Sequence, residues 1–126
     1  MNFPEHLKYT KDHEWIHIDG DTGTVGITDY AQGELGDVVF VELPAVGKVL
    51  KAHDTFGTIE AVKAVSDLYA PISGSIIETN PELEKIPEIV NKDPYGKGWM
   101  VKIKMTSPAE ASALLSAAAY KQLIGK

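Results

Sequence analysis

The sequence predicts a mainly β chain, a sandwich or flattened barrel of two sheets with short helices at its edges and one helix at its C-terminus. Three observations predict it. Short apolar runs recur along the chain, and Gly, Pro or Asp-Gly turn chemistry closes them. The run Trp99-Met100-Val101-Lys102-Ile103-Lys104-Met105 alternates with the two-residue period of a strand. The helical signals between the runs are brief, so helices are additions to a β core.

At 126 residues the chain is one domain's worth, 1–126, with core sheets over about 8–105 and a helix over about 108–123. Residues 14–18 and 24–27 are β-type runs around Asp19-Gly20-Asp21-Thr22-Gly23 and read as a hairpin. That Asp-Gly-Asp loop lacks the ligand spacing of a calcium site and reads as a plain turn. Thr28 is a helix N-cap, Asp29 stands in the first turn and Gly36 is a stop, so 29–35 is a short helix. Residues 38–43 form a strand ended by Pro44, and 46–50 form another.

Runs 55–61 and 65–70 flank a tight turn with Lys63 at its tip. Pro71-Ile72-Ser73-Gly74 is turn chemistry, and 75–78 pairs onward. Asn80-Pro81 starts a short helix over 82–85, Pro87 interrupts it, and 88–91 form a second turn. In the alternating run, Trp99, Val101, Ile103 and Met105 are expected in the core, with Lys102 and Lys104 in water. Ser107-Pro108-Ala109-Glu110 reads as a capping box. The helix it opens runs to about Leu123, with Leu114, Leu115, Ala118 and Leu123 as its apolar stripe.

Composition excludes several chemistries. The chain has no Cys, hence no disulfide, thiol nucleophile or thiolate metal site. All 12 basic residues are Lys, so no guanidinium fork can hold phosphate or carboxylate. A net charge of −6 argues against nucleic acid and anionic membranes as partners. No stretch reaches the length of a membrane span. Residues 1–11 show neither an apolar signal core nor an Arg-rich transit pattern, so the expected compartment is the cytoplasm, or an organelle after processing. The four His form no compact metal-ligand spacing, and neither a Gly-x-Ser-x-Gly elbow nor a Gly-rich phosphate loop is present. An independent catalyst and a metal site are therefore not expected.

A carrier is. A hairpin fixes both sides of its tip through cross-strand hydrogen bonds. Lysine adds a primary amine on a long stem, able to form an amide. Turn lysines ordinarily do no more than face water, so Lys63 alone would carry no such reading. Small neighbours, Ala61, Ala64 and Ser66, leave an enzyme room to approach.

The stretch Gly57-Thr58-Ile59-Glu60-Ala61-Val62-Lys63-Ala64-Val65-Ser66-Asp67-Leu68 resembles the lipoyl-attachment hairpin of the glycine cleavage system H proteins. The likeness extends through Asp12-His13-Glu14-Trp15, Gly26-Ile27-Thr28-Asp29-Tyr30, Gly36-Asp37-Val38-Val39-Phe40 and Asp93-Pro94-Tyr95-Gly96. Biotin carriers bracket their lysine with Met, and lipoyl domains of oxo-acid dehydrogenases place Asp before it; here Val62 and Ala64 flank Lys63.

The resemblance implies a lipoyl-domain-like barrel-sandwich hybrid with lipoate amide-linked to Lys63. The linked arm would measure roughly 14 Å at ordinary bond lengths. It implies a cycle in which a pyridoxal-phosphate glycine decarboxylase loads the arm with an aminomethyl group. A tetrahydrofolate-dependent aminomethyltransferase unloads it, and the FAD enzyme dihydrolipoyl dehydrogenase reoxidises it. A lipoylating enzyme attaches the group in the first place. The protein itself catalyses nothing, since the hard chemistry belongs to cofactors. Residues matching the family's arm cleft are Glu14 and Asp67, with Asp12 as a further candidate. The competing role is a relay that donates lipoyl groups to other complexes. A monomer is expected, because an arm that visits several enzymes gains from free diffusion.

Overall fold

The computed structural model describes residues 2–126. Strands β1 (Lys8–Tyr9), β2 (Glu14–Asp19) and β3 (Thr22–Ile27) lead to helix α1 (Asp29–Leu35) and then to strands β4 (Val38–Glu42) and β5 (Val49–Leu50). The hairpin β6 (Thr55–Ala61) and β7 (Val65–Tyr69) and strand β8 (Gly74–Thr79) follow. Helices α2 (Glu82–Lys85) and α3 (Ile89–Lys92) precede strand β9 (Val101–Met105), a 3-10 turn (Pro108–Ala113) and helix α4 (Ala117–Leu123). The strands make a six-stranded sheet, β1-β2-β3-β9-β8-β5, and a three-stranded one, β4-β6-β7, paired antiparallel throughout. The main core lies between them: Ile16, Val25, Ile76 and Ile103 of the larger sheet meet Val41, Ile59 and Leu68 of the smaller. This is the mainly β architecture with peripheral helices that the sequence predicts.

Local chemistry explains why α1 stands where it does. The Thr28 hydroxyl accepts from the Ala31 N–H at 3.1 Å, and Gly36, at φ 81°, sends its N–H back to the Gln32 carbonyl at 3.0 Å. Gly26 lies across from Trp15 in the β2–β3 ladder, and a Cβ there would stand 2.7 Å from the indole nitrogen. The ring lies flat over that glycine, with its N–H donating to the Pro94 carbonyl at 2.9 Å.

Four expectations are corrected. The strand over 46–50 shrinks to Val49–Leu50, because Gly47 turns at φ 96° and Gly47 and Lys48 both bond to Ile76 of β8, so regular pairing begins only at Val49. Trp99 is only half-buried, and Met100 takes the core position. Asn80 holds the Trp99 carbonyl at 2.8 Å and the Met100 N–H reaches the Val25 carbonyl, so inward alternation begins at Val101. The Lys102 ammonium lies over the Trp99 ring, 5.1 Å from its centre.

The third correction is the C-terminal helix over 108–123, which is two pieces. Ser107 makes no side-chain cap; Glu110 reaches instead to the backbone N–H and hydroxyl of Ser73, at 2.7 and 2.8 Å. Leu114 is extended, and Leu115 exchanges two 2.8 Å backbone bonds with Tyr9 before Ser116 caps α4. The last concerns the apolar stripe. Ala117 and Tyr120 are buried, whereas Ala118 is exposed and Leu123 is 53% exposed. Tyr120 and Ala117 join Phe3, Leu7, Tyr9 and Trp15 in a second cluster beneath α4. Among the described residues, no helix is long and apolar enough to cross a membrane.

Candidate functional site

The β6–β7 ladder pairs Thr58 with Asp67, Ile59 with Ser66 and Glu60 with Val65, and the Ala61 N–H closes on the Ala64 carbonyl at 2.7 Å. Val62 and Lys63 are the loop. Neither has positive φ, so the turn is not of the primed type that two-residue hairpins favour. It is held from outside the hairpin: the Val62 N–H donates to the Asp37 carbonyl at 3.0 Å. The Lys63 stem passes over Gly36, where an added Cβ would come within 3.3 Å of Cε. Lys63 is exposed, and among the described residues the one ion pair joins Lys102 to Glu78. The amine is therefore carried at the tip without a carboxylate partner.

Beside the hairpin opens a cleft of about 320 Å³. Asp12 and His13 come to it from the β1–β2 turn, Glu14 from the start of β2, Tyr30, Ala31, Glu34 and Leu35 from α1, and Ile59, Ser66, Asp67 and Leu68 from the hairpin. All three acids singled out from the sequence thus line one cleft. A second cavity of about 490 Å³ shares Thr10 with this neighbourhood but is lined chiefly by Tyr9, Pro71, Leu114 and Leu115, away from the hairpin.

The acids differ sharply. Asp67 is exposed and Asp12 half-buried, but Glu14 is only 2% exposed. Its Oε1 accepts from the Thr10 hydroxyl at 2.8 Å and its Oε2 from the Tyr69 N–H at 3.2 Å. The Thr10 oxygen already accepts the N–H groups of Asp12 and Glu14, which directs its one proton to the carboxyl. Burial pushes Glu14 up to about 8, against the downward pull of those two donors. Glu14 is therefore mostly protonated at pH 7, and a cation beside it would draw it into the ionised form.

His13 and Tyr120 escaped the sequence reading. His13 sits at φ 67°, and its Nδ1 is 2.9 Å from the Tyr120 hydroxyl, which is 2.8 Å from the Thr28 hydroxyl. Burial lowers the His13 pKa. One phenol thereby ties the acidic turn to the N-cap of α1, joining two walls of the cleft. Glu34 and Tyr30 also escaped; their spacing of four on α1 was the available signal, since it places both on one helix face. Among the described residues, no group of three or more His, Asp or Glu could hold a metal ion.

Comparison with known proteins supplies the context. The family model for the glycine cleavage H-protein matches residues 7–126. A glycine cleavage system H protein of Bacteroides thetaiotaomicron is 57% identical over 124 residues, 98% of either chain. One from Chlorobium luteolum is 60% identical over 127 residues, covering 99% of each. The crystal structure of a glycine cleavage system H protein from Mycobacterium marinum superposes with a TM-score of 0.90 at 42% identity, over 98% of this chain and 99% of that one.

Proposed function

The chain belongs to the glycine cleavage H-protein family, the lipoyl carriers of the glycine cleavage system, and from that premise we propose that Lys63 is the residue that bears the lipoyl group. The observation that carries this is the hairpin tip: one exposed amine on a turn braced both by its own ladder and by the Asp37 carbonyl. When attached, the group supplies a cyclic disulfide that accepts an aminomethyl unit and recloses on oxidation.

The residues of this chain have the remaining tasks. Lys63 holds the tether by an amide and keeps it mobile. Leu35, Ile59 and Leu68 give the cleft apolar walls that exclude water from whatever the tether carries there. Glu14, with Asp67 and Asp12 near it, binds the cationic nitrogen of that cargo. On entry of the cation, Glu14 gives up its proton to solvent, and the Thr10 hydroxyl and Tyr69 N–H remain as donors to the carboxylate.

In this reading the protein is a non-catalytic shuttle in the cytoplasm. Its partners are the pyridoxal-phosphate decarboxylase, the tetrahydrofolate-dependent aminomethyltransferase, the FAD dehydrogenase and a lipoylating enzyme. Intact mass after treatment with lipoate, ATP and a lipoyl-protein ligase tests the attachment. One lipoyl increment that disappears in Lys63→Ala is expected; an increment that persists in that variant overturns the assignment. Glycine-dependent reduction of the arm by the decarboxylase then tests the shuttle role against a lipoyl-relay role.

A further inference from the structure

The turn that presents Lys63 is not self-supporting, and the support leads to a residue distant in sequence. Asn91 lies in α3, yet its side chain makes three hydrogen bonds at the far end of α1. Its Oδ1 accepts the Val38 N–H at 2.9 Å, and its Nδ2 donates to the Gly36 carbonyl at 2.9 Å and to the Gln32 Oε1 at 3.0 Å. The first two flank Asp37 on either side. A single planar amide therefore fixes the peptide groups before and after Asp37, and with them the direction of the Asp37 carbonyl. That carbonyl is the acceptor of the Val62 N–H, one residue from Lys63. Gly36, the other end of the clamped segment, is the surface over which the Lys63 stem passes.

We propose that Asn91 is a positioning residue for Lys63: it holds residues 36–38 as a ledge that keeps the hairpin tip in the one arrangement an acylating enzyme can engage. This rests on Lys63 being the modified lysine. In the acylation step, the ammonium of Lys63 loses two protons to the enzyme's base and solvent. Its nitrogen attacks the carbonyl carbon of a lipoyl-adenylate, the C–N bond forms and the acyl–phosphate bond breaks with AMP leaving. Asn91 touches none of these atoms. Its effect is on the fraction of protein whose tip is ready.

That mechanism fixes the kinetic signature. A tip that is competent only part of the time weakens apparent recognition by that fraction and leaves the bound complex to react normally. Asn91→Asp is the sharp variant. It keeps the shape and the acceptor for Val38, but turns a second oxygen on the Gly36 carbonyl and on Gln32 Oε1, where the donor was. Gln32 cannot easily turn its own amide to compensate, because its Nε2 is engaged by Asp29 Oδ1 at 2.7 Å.

The experiment is lipoylation of the full chain by lipoyl-protein ligase with lipoate and ATP, followed by intact mass, together with amide exchange at Val62. For Asn91→Asp, KM for the protein substrate rises about five- to tenfold with kcat within twofold, and the Val62 amide exchanges at least tenfold faster. Core amides at Val90 and Ile103 keep their protection. Unchanged KM, with or without faster exchange at Val62, overturns the proposal, as does a loss confined to kcat. If Asn91→Asp unfolds, Gly36→Ala decides by the same criteria. It strains a backbone at φ 81° and sets a Cβ 3.3 Å from Lys63 Cε while leaving Asn91 intact. Failure of wild-type protein to gain a lipoyl group on Lys63 would instead sink the attachment itself, a separate result.

Discussion

Glu14→Gln should change the pH dependence of stability, and the direction is unusual for a carboxylate. Burial lifts Glu14 from 4.5 to about 8. The folded state therefore binds this proton more tightly than the unfolded state does. The stabilisation is complete below pH 4.5, declines as pH rises, and is gone above about 8. At 1.36 kcal/mol per unit, the 3.5-unit interval (8 − 4.5) corresponds to about 4–5 kcal/mol, of which about 3 is already lost by pH 7. Glutamine is neutral throughout and escapes this decline. It loses one acceptor, since a donor NH₂ replaces one of the two oxygens that receive from Thr10 and Tyr69, at a cost of about 1 kcal/mol. Urea unfolding of the unlipoylated chain at pH 5, 7 and 9 gives the comparison. The two are about equally stable at pH 5, and the variant is clearly the more stable by pH 9. The difference between the two, wild type minus variant, should swing by roughly 3–5 kcal/mol over that range. Curves that stay parallel within about 0.5 kcal/mol would show that Glu14 titrates normally, and the account of a protonated carboxyl in the cleft would fall.

Tyr120→Phe keeps the stacked ring but removes the hydroxyl between His13 and Thr28, and chemical denaturation should register a loss of about 1–2 kcal/mol. His13 itself should titrate below 6.5 by NMR. Its depressed pKa contributes stability that is present above 6.5 and lost as pH falls through the folded-state value. Gly26→Ala sets a Cβ against the Trp15 indole and should cost about 1–3 kcal/mol, read as a lower urea midpoint. The double change Glu14→Ala with Asp67→Ala should shorten the life of the aminomethyl-loaded arm at pH 7; an unchanged decay rate would remove the cleft acids from the mechanism.

What was legible in the sequence is what local chemistry dictates. Lys63 between two strand runs and the Thr28 cap and Gly36 stop of α1 follow from short motifs, whereas the acids beside the hairpin come only through the family resemblance. What was not legible depends on contacts across long separations. Ser107 and Glu110 have the spacing of a capping box, yet Glu110 finds Ser73, 37 residues away, and the helix breaks. Trp99 fits the strand alternation until Asn80 captures its carbonyl. Glu14 is placed at the cleft by the family resemblance, but nothing in the sequence shows how deeply it is buried. Only the packing of Thr10 and Tyr69 around it shows a carboxyl held out of water.

The paired backbone bonds between Tyr9 and Leu115 matter to anyone handling this protein. They stitch the tail of the chain to the strand that leads directly into Asp12 and Glu14. Clipping the polypeptide after Ala113 would remove that seam and Tyr120 together, so damage at one extremity would surface in the cleft beside the hairpin. A tag appended beyond the solvent-facing Lys126 leaves the seam whole, and is the safer place to attach a handle.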